Sequence, residues 1–213
     1  ILGTPYTLKE VQMIGARLLA GRLNYAQICK DEDTRVQHRF VNDLPDLMEH
    51  IVELDESIGA QDKRSRRTGL SEKSRANIDK KIAEYRTEQI DIICKFKLKS
   101  KEISKIGRKI KGLKRRISAC RDEIDRVERE VGFGTDEVHD MAVKLRRSAA
   151  AAEKLGVEKE VVLDAERRLT IAQRKIDQIE SDAKLNADEI SELIDVIKHR
   201  EELIYNAKME LVE

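Results

Sequence analysis

Apolar residues between positions 103 and 131 recur at alternating steps of three and four. Nine residues keep this register: Ile103, Ile106, Ile110, Leu113, Ile117, Cys120, Ile124, Val127 and Val131. Such spacing forms a single apolar seam along one face of an α-helix. Because a helix in water gains most of its stability by packing that face on partners, the pattern predicts a long helix that other segments of the chain cover. We call this helix the rod.

The side of the rod opposite the seam is basic. Four of its residues are candidates for contact with a partner: Lys105, Arg108, Lys111 and Arg115. They lie in a middle segment, residues 61–122, with 21 basic and 8 acidic residues, whereas residues 1–60 have 6 and 10 and residues 123–213 have 15 and 23. Two interpretations of this charge pattern stay open. In the first, the basic segment binds an external partner, which is nucleic acid or an acidic protein surface. In the second, it packs against the acidic helices of its own chain.

The first 70 residues predict two helices joined by polar segments. Thr7 is placed to cap a helix that stops at Gly21. Residues 30–39 show no periodicity, which indicates an exposed loop. Pro45 suits the first turn of a second helix that ends at Gly59, and the basic residues after it, up to position 70, indicate a solvated linker.

Ser71 is placed to cap the next helix, which leads towards the rod. Residues 95–99 then alternate between basic and apolar, which does not suit a helix, and Ser100 offers a fresh helix start. We therefore expect a break in this region instead of one continuous helix. Residues 71–131 are predicted to form a long antiparallel helix pair whose apolar faces cover each other.

Residues 124–141 match residues 176–193 at an offset of 52 positions. Isoleucine, aspartate, glutamate, aspartate and glutamate are identical at 124/176, 125/177, 128/180, 136/188 and 137/189. Each copy indicates a helix end, a turn and a new helix start, with Gly132 left-handed in the first and Asn186 as the cap in the second. A weaker turn is indicated at residues 155–157. The predicted helices are therefore 101–131, 135–154, 158–183 and 187–213.

The composition favours long helices over sheet. Charged residues make up 39% and aromatic residues 3% of the chain, with 2 prolines and 10 glycines, which leaves little for a thick globular core. The predicted fold class is all-α, an elongated bundle of long antiparallel helices and stacked helical hairpins. Its predicted segments are 1–70, with N-terminal helices, acidic loop and basic linker; 71–131, the helix pair; and 132–213, the hairpins.

Two features of the sequence bear on where the protein works. No apolar run approaches the roughly twenty residues of a membrane-spanning helix, so we expect no membrane partner. The 3 cysteines are odd in number and lack CxxC spacing, which indicates buried free thiols in a reducing compartment. We therefore expect a cytoplasmic protein.

No residue pattern indicates catalysis. The 4 histidines are scattered, without an HExxH motif or a Cys/His cluster that could bind zinc. Gly132 and Gly134 form a GxG, but it follows a predicted helix instead of a strand, so it is a corner and not a phosphate-binding loop. We expect neither an enzyme nor a metal or cofactor site.

Several runs near the carboxyl terminus are distinctive: Gln178-Ile179-Glu180, the turn at Leu185 and Asn186, Asp188-Glu189-Ile190, and Ala207-Lys208-Met209-Glu210-Leu211-Val212-Glu213. They resemble the approach to the second conserved region of the primary (housekeeping, vegetative) sigma factors of bacterial RNA polymerase. On this resemblance the chain is a fragment that covers the non-conserved insert between the first and second conserved regions.

The resemblance implies a transcription-initiation factor that associates with core RNA polymerase. It implies an all-helical insert that acts by contact with the largest polymerase subunits and adjusts promoter opening or escape. Promoter DNA is then bound by the parent protein and not by this fragment alone. Two alternatives stay open: a structural coiled-coil spacer or tethering module, and a basic helical nucleic-acid-binding module. Because the chain supplies several apolar-striped helices joined by short corners, we expect a monomer.

Overall fold

The computed structural model describes residues 3–67, 69–147 and 158–211. Within these ranges the chain forms eight α-helices and no strand, which confirms the predicted all-α helical bundle. The helices are α1 (Pro5–Leu19), α2 (Tyr25–Ile28), α3 (Thr34–Ser65), α4 (Glu72–Lys95), α5 (Ser100–Val131), α6 (Thr135–Arg147), α7 (Lys159–Ala183) and α8 (Ala187–Glu210). Some of the predicted boundaries need correction, and each correction has a local cause.

The chain divides into two compact units, Ile1–Arg108 and Lys109–Glu213. The division falls within α5, so this helix contributes its first turns to one unit and its remainder to the other. The three segments predicted from the sequence, 1–70, 71–131 and 132–213, stay a prediction.

In the first unit, α1 begins earlier than predicted because Thr4, and not Thr7, caps it. The backbone N–H of Thr7 donates to Oγ1 of Thr4 at 3.2 Å. Pro5 follows the cap, where its missing N–H leaves no bond unmade and its fixed φ suits the first turn. The end of α1 agrees with the prediction, since the chain turns at Gly21 with a φ of 65°.

The predicted loop over residues 30–39 is confirmed only for residues 30–33 and is wrong from Thr34 on, where α3 already begins. Oδ1 of Asp33 accepts the backbone N–H of Arg35 at 2.8 Å and so caps this helix. Phe40 is buried, which stabilises a segment whose own sequence has few apolar residues. Tertiary burial therefore overrides the weak local signal.

The predicted helix start at Pro45 is also wrong, since this proline lies inside α3. A proline in a helix interior removes one N–H and so leaves the carbonyl four residues earlier without its helical bond. That carbonyl belongs to Val41, which is 40% exposed, so water has access to this part of the helix. Leu44, next to the proline, is fully buried and anchors the helix there.

The segment predicted as a basic linker up to residue 70 is helical as far as Ser65. Gly59 does not end the helix, and its neighbour Ile58 packs against Ile78 and Ile82 of α4. The helices α3 and α4 therefore form a hairpin. The sequence analysis paired α4 with the rod, whereas in the structure α3 covers this part of α4.

The predicted break between α4 and the rod is confirmed. Lys97 adopts a left-handed φ of 44°, and the next residue, Leu98, pairs with Cys29 in an isolated antiparallel bridge. Phe96 is fully buried at this break, with its ring centroid 5.1 Å from that of Phe40. The alternating apolar residues are therefore the ones that anchor the break in the core.

The rod is α5, and its predicted seam is confirmed as the buried face. Ile106 in the first unit, and Ile110, Leu113, Ile117 and Val127 in the second, are each at most 8% exposed. The other seam residues are half-buried: Ile103, Cys120, Ile124 and Val131. Towards its carboxyl end the seam packs on a core cluster from α6 and α7: Val138, Met141, Ala142, Leu145, Val162, Ala165 and Leu169.

The sequence repeat forms two equivalent corners, before α6 and before α8. Gly132 in the first and Lys184 in the second take left-handed φ values of 76° and 52°. At the second corner Asn186 caps α8, and its Oδ1 accepts the N–H groups of Asp188 and Glu189 at 3.0 and 2.8 Å. These corners are as predicted. The weaker turn predicted at residues 155–157 lies outside the described residues.

Each corner is closed by a glutamate seven residues before the first residue of the next helix. Oε1 of Glu128 accepts both the backbone N–H and the hydroxyl of Thr135, each at 2.7 Å. Oε1 of Glu180 accepts the N–H of Ala187, also at 2.7 Å. Glu128 and Glu180 are one of the identical pairs of the repeat, so the same residue type closes the junction between consecutive helices in both copies.

Candidate partner-contact site

The four candidate contact residues have different surroundings. Nζ of Lys105 lies 2.6 Å from Oε1 of Glu102, one turn earlier on α5. Arg108 and Arg115 are exposed, and neither forms an ion pair in the part of the chain that the structure describes. Lys111 is half-buried and is held within the second unit. Of the four residues that the sequence pattern grouped, Arg108 and Arg115 are therefore the two whose charges have no partner in the described residues.

Basic residues of α5 form polar contacts with α8 inside the second unit. Nζ of Lys111 donates to Oε2 of Glu201 at 2.5 Å, and Nζ of Lys114 donates to Oγ of Ser191 at 2.9 Å. Farther along, Arg121 approaches Asp188 at 3.7 Å. The second interpretation of the charge pattern, packing of basic on acidic helices, therefore holds for this side of the rod.

A second set of charges ties α5 to α7. Arg168 of α7 donates to Glu123 at 2.8 Å and to Glu130 at 2.6 Å. The hydrogen bond from the Arg168 guanidinium lowers the pKa of the Glu130 carboxyl below its usual value. Both carboxylates are bonded to the same arginine, which is the arrangement of a structural ion-pair network between α5 and α7.

One carboxylate is buried in the core of the second unit. Glu166, 8% exposed, accepts a hydrogen bond from Arg146 at 2.7 Å, and Nδ1 of His139 lies 3.6 Å from it. Buried carboxylates need such partners because an unpaired charge in an apolar environment is strongly destabilising. Arg146 satisfies that need, so the geometry is that of a structural ion pair.

The three cysteines are free, as predicted, but only Cys29 is buried; Cys94 is exposed and Cys120 half-buried. Burial raises the pKa of the Cys29 thiol to about 11 and that of the Tyr25 hydroxyl to about 12. Since the thiolate is the reactive form, Cys29 stays protonated at neutral pH and is a poor nucleophile. Cys94 is exposed because it lies on the outer side of α4, opposite buried Ile92 and Ile93.

The sequence analysis missed a surface at the carboxyl end of α8. Beyond Ile197 every described residue is exposed, including these large apolar side chains: Leu203, Ile204, Tyr205, Met209 and Leu211. We call this surface the α8 end. Its residues continue the apolar character of the buried part of α8, so the sequence alone could not distinguish a covered helix from an uncovered one.

Neither metal binding nor membrane crossing has support in the described part of the chain. Among residues 3–67, 69–147 and 158–211, no group of three or more His, Cys, Asp or Glu side chains is arranged to hold a metal ion. Within the same ranges, no helix combines the length and the apolar content that crossing a membrane requires.

Comparison with known proteins gave no match. Neither a protein-family model, nor a curated protein, nor a solved structure matches the chain.

Proposed function

We propose that this chain is part of a transcription-initiation factor of the primary sigma class, and that it acts by protein–protein contact with core RNA polymerase and not by catalysis. In this proposal it is the non-conserved insert of that factor, it works as a monomer in the bacterial cytoplasm, and promoter DNA is engaged by the parent protein. The large subunits of core polymerase are its direct partners.

The observation that carries the proposal is the α8 end. The sigma-like residues Ala207-Lys208-Met209-Glu210-Leu211 lie on it, in a helix whose last turns have no cover within the described chain. Leu203 is 46% exposed and Ile204 57%. Several large apolar side chains exposed close together mark an interaction surface more often than single ones do. The distinctive residues and the uncovered helix therefore coincide.

Arg115, which lies in the same unit as the α8 end, supplies the polar part of the proposed contact. It is exposed and without an ion pair in the described ranges, so it does not have to leave an intramolecular partner in order to bind. Charges of this kind chiefly affect the association rate and its salt dependence, whereas buried apolar anchors carry most of the affinity.

The test is the affinity of the 213-residue chain for core RNA polymerase, measured by biolayer interferometry. A variant with Leu203→Ser and Ile204→Ser removes two apolar side chains of the α8 end. The matched control, Val161→Ser with Ile171→Ser, removes two apolar side chains on α7 that are 49% and 43% exposed. We expect the first variant to bind about tenfold more weakly, and the control to bind like the original chain.

Two results would contradict the proposal. If the unaltered chain does not bind core polymerase, the spacer or tethering alternative accounts better for the helices. If both double variants bind equally weakly, the loss reflects general surface polarity and the α8 end is not the contact.

A further inference from the structure

The strongest unassigned feature is a basic surface where α3 ends and α4 begins. Between residues 63 and 81 the chain has 8 basic and 2 acidic residues. We call the basic residues of this surface the basic tip: Lys63, Arg64, Arg66, Arg67, Lys73, Arg75, Lys80 and Lys81. From these residues we infer that the basic tip binds the phosphate backbone of double-stranded nucleic acid. The inference does not depend on the proposed function.

The hairpin structure brings these charges together. Ile58 near the end of α3 packs on Ile78 and Ile82 of α4, and Leu70 in the connection lies against the same cluster. The two basic runs, one at the end of α3 and one at the start of α4, are therefore held next to each other by an apolar cluster. A mobile linker, as the sequence suggested, would not fix them in this way.

The charges of the basic tip are available to a partner. All eight side chains belong to exposed residues. Only Lys80 forms an ion pair in the described part of the chain, with Glu84 at 3.9 Å. This contrasts with Lys111 and Lys114 of α5, whose ammonium groups bond to α8. Basic residues left exposed and unpaired repel one another, and a polyanion relieves that repulsion.

The surroundings of these charges favour nucleic acid over an acidic protein. Protein interfaces are built on buried apolar or aromatic anchors. No large apolar residue is exposed within residues 53–67 or 69–147. The exposed residues between the charges are small or polar, such as Gly69, Ser74 and Asn77. A surface with many cations and no apolar anchor suits phosphates, which are contacted by charge and hydrogen bonds alone.

Two considerations favour a duplex. Single-strand binding needs aromatic side chains on which bases stack, and the basic tip has none. The first ten residues of α4, Glu72–Lys81, extend for about 15 Å at the α-helical rise. A duplex has one phosphate charge per roughly 1.7 Å of axis, both strands counted, so a length of about 15 Å holds about nine phosphates, and those on the facing side suffice for the four basic residues of this stretch.

The test measures binding of the 213-residue chain to a random-sequence duplex of twenty base pairs by fluorescence anisotropy, from 50 to 200 mM KCl. The tip variant changes Lys63, Arg64, Arg66 and Arg67 to Gln. A matched control changes Lys159, Arg167, Arg174 and Lys175 of α7, all exposed and unpaired within the described residues, to Gln. Both variants alter the net charge by the same amount, and circular dichroism checks that both stay folded.

We expect the tip variant to lose most of the duplex affinity at 50 mM KCl while the α7 control keeps it. If all four residues contact phosphates, the slope of log affinity against log salt falls by about 3.6 in magnitude. The affinity of the unaltered chain should then drop by about 150-fold more than that of the tip variant between the two salt concentrations.

Four outcomes would overturn the inference. The first is that the unaltered chain fails to bind at 50 mM KCl, and the second is that the tip variant binds as tightly as the unaltered chain. The third is an equal loss of affinity in both variants, which would make the effect one of net charge. The fourth is that polyglutamate of matched charge competes as well as unlabelled duplex, which would assign the surface to acidic proteins.

Discussion

The glutamate at each repeated corner is the most direct place to test how the second unit holds its helices. Replacing Glu180 with Ala leaves the N–H of Ala187 without the acceptor that now lies 2.7 Å away. The oxygen lost is that of a carboxylate, which forms stronger hydrogen bonds than a neutral acceptor does. Because Ala187 is only 8% exposed, water cannot readily replace the bond.

The magnitude follows from three terms. An unsatisfied, largely buried donor costs about 1–3 kcal/mol. Loss of a negative charge near the amino terminus of α8 costs about 0.3–1 kcal/mol. The better helix propensity of alanine offsets at most about 0.5 kcal/mol. We therefore expect Glu180→Ala to lower the free energy of unfolding by about 2 kcal/mol. Glu128→Ala should cost about 0.5–1 kcal/mol more, because Glu128 also accepts the Thr135 hydroxyl.

Amide hydrogen exchange is the sharpest assay, since it reports on the single N–H groups of Ala187 and Thr135. A local loss of about 2 kcal/mol makes exchange at the affected amide about 30-fold faster. Urea unfolding, followed by circular dichroism, gives the global value. The matched control is Glu192→Ala, an exposed glutamate of α8 with no partner in the described residues. If Glu180→Ala and Glu192→Ala give the same exchange rate at Ala187 and the same urea midpoint, the carboxylate does not secure the corner.

Three further predictions concern the core, the backbone and pH. Ile110→Ala should lower the free energy of unfolding by about 2–5 kcal/mol because Ile110 is fully buried, and an unchanged urea midpoint would contradict this. Gly132→Ala should destabilise the protein by about 1–2 kcal/mol because the φ of Gly132 is 76°. Gly112→Ala should instead stabilise it by up to about 1 kcal/mol, because Gly112 lies inside α5 with open space where the new Cβ would sit; thermal unfolding compares the two variants. Hydrogen bonds to Glu88, at 2.8 Å, and then to Glu53 raise the pKa of His50 above 6.5, so this link between α3 and α4 stabilises fully below pH 6.5 and is lost as the pH rises through the raised pKa. Glu88→Gln should therefore lower the urea midpoint at pH 5, by at most about 1 kcal/mol in free energy for so exposed a pair, and this difference from the original chain should shrink as the pH is raised to 8.

The features that the sequence predicted well depend on local chemistry. The seam of α5 follows from periodicity, and the corners follow from a left-handed residue and a capping side chain, all within a few positions of one another. The break before Ser100 was visible because the alternation of residues 95–99 does not suit a helix. In each case the competing interactions lie within one or two turns of the chain, so a sequence window contains them.

The missed features depend on distant contacts. The start of α3 at Thr34 depends on burial of Phe40. The ring centroid of Phe40 lies 5.1 Å from that of Tyr25 and 5.1 Å from that of Phe96, and neither pair is visible in a local sequence window. Likewise, Lys111 and Arg115 have the same charge on the same helix. Only the position of Glu201, ninety residues after Lys111, decides that one is paired and the other free.

The α3–α4 hairpin shows a related limit. Gly59 and the basic run after it resemble a helix end and a linker, because a sequence window contains no partner for Ile58. Once Ile78 and Ile82 pack on that residue, the helix continues to Ser65. The difference between a mobile basic linker and a fixed basic surface is therefore set by three isoleucines.

The repeated corners also bear on how such a chain can change its length in evolution. The polar contacts that close a corner, from Glu128 to Glu137 and from Glu180 to Glu189, lie within ten consecutive residues. A duplication or deletion of one period of 52 residues would carry a complete junction with it and would leave the remaining junctions intact. Homologues should therefore tolerate gain or loss of whole helical periods here, whereas insertions of a few residues inside a corner should be rare.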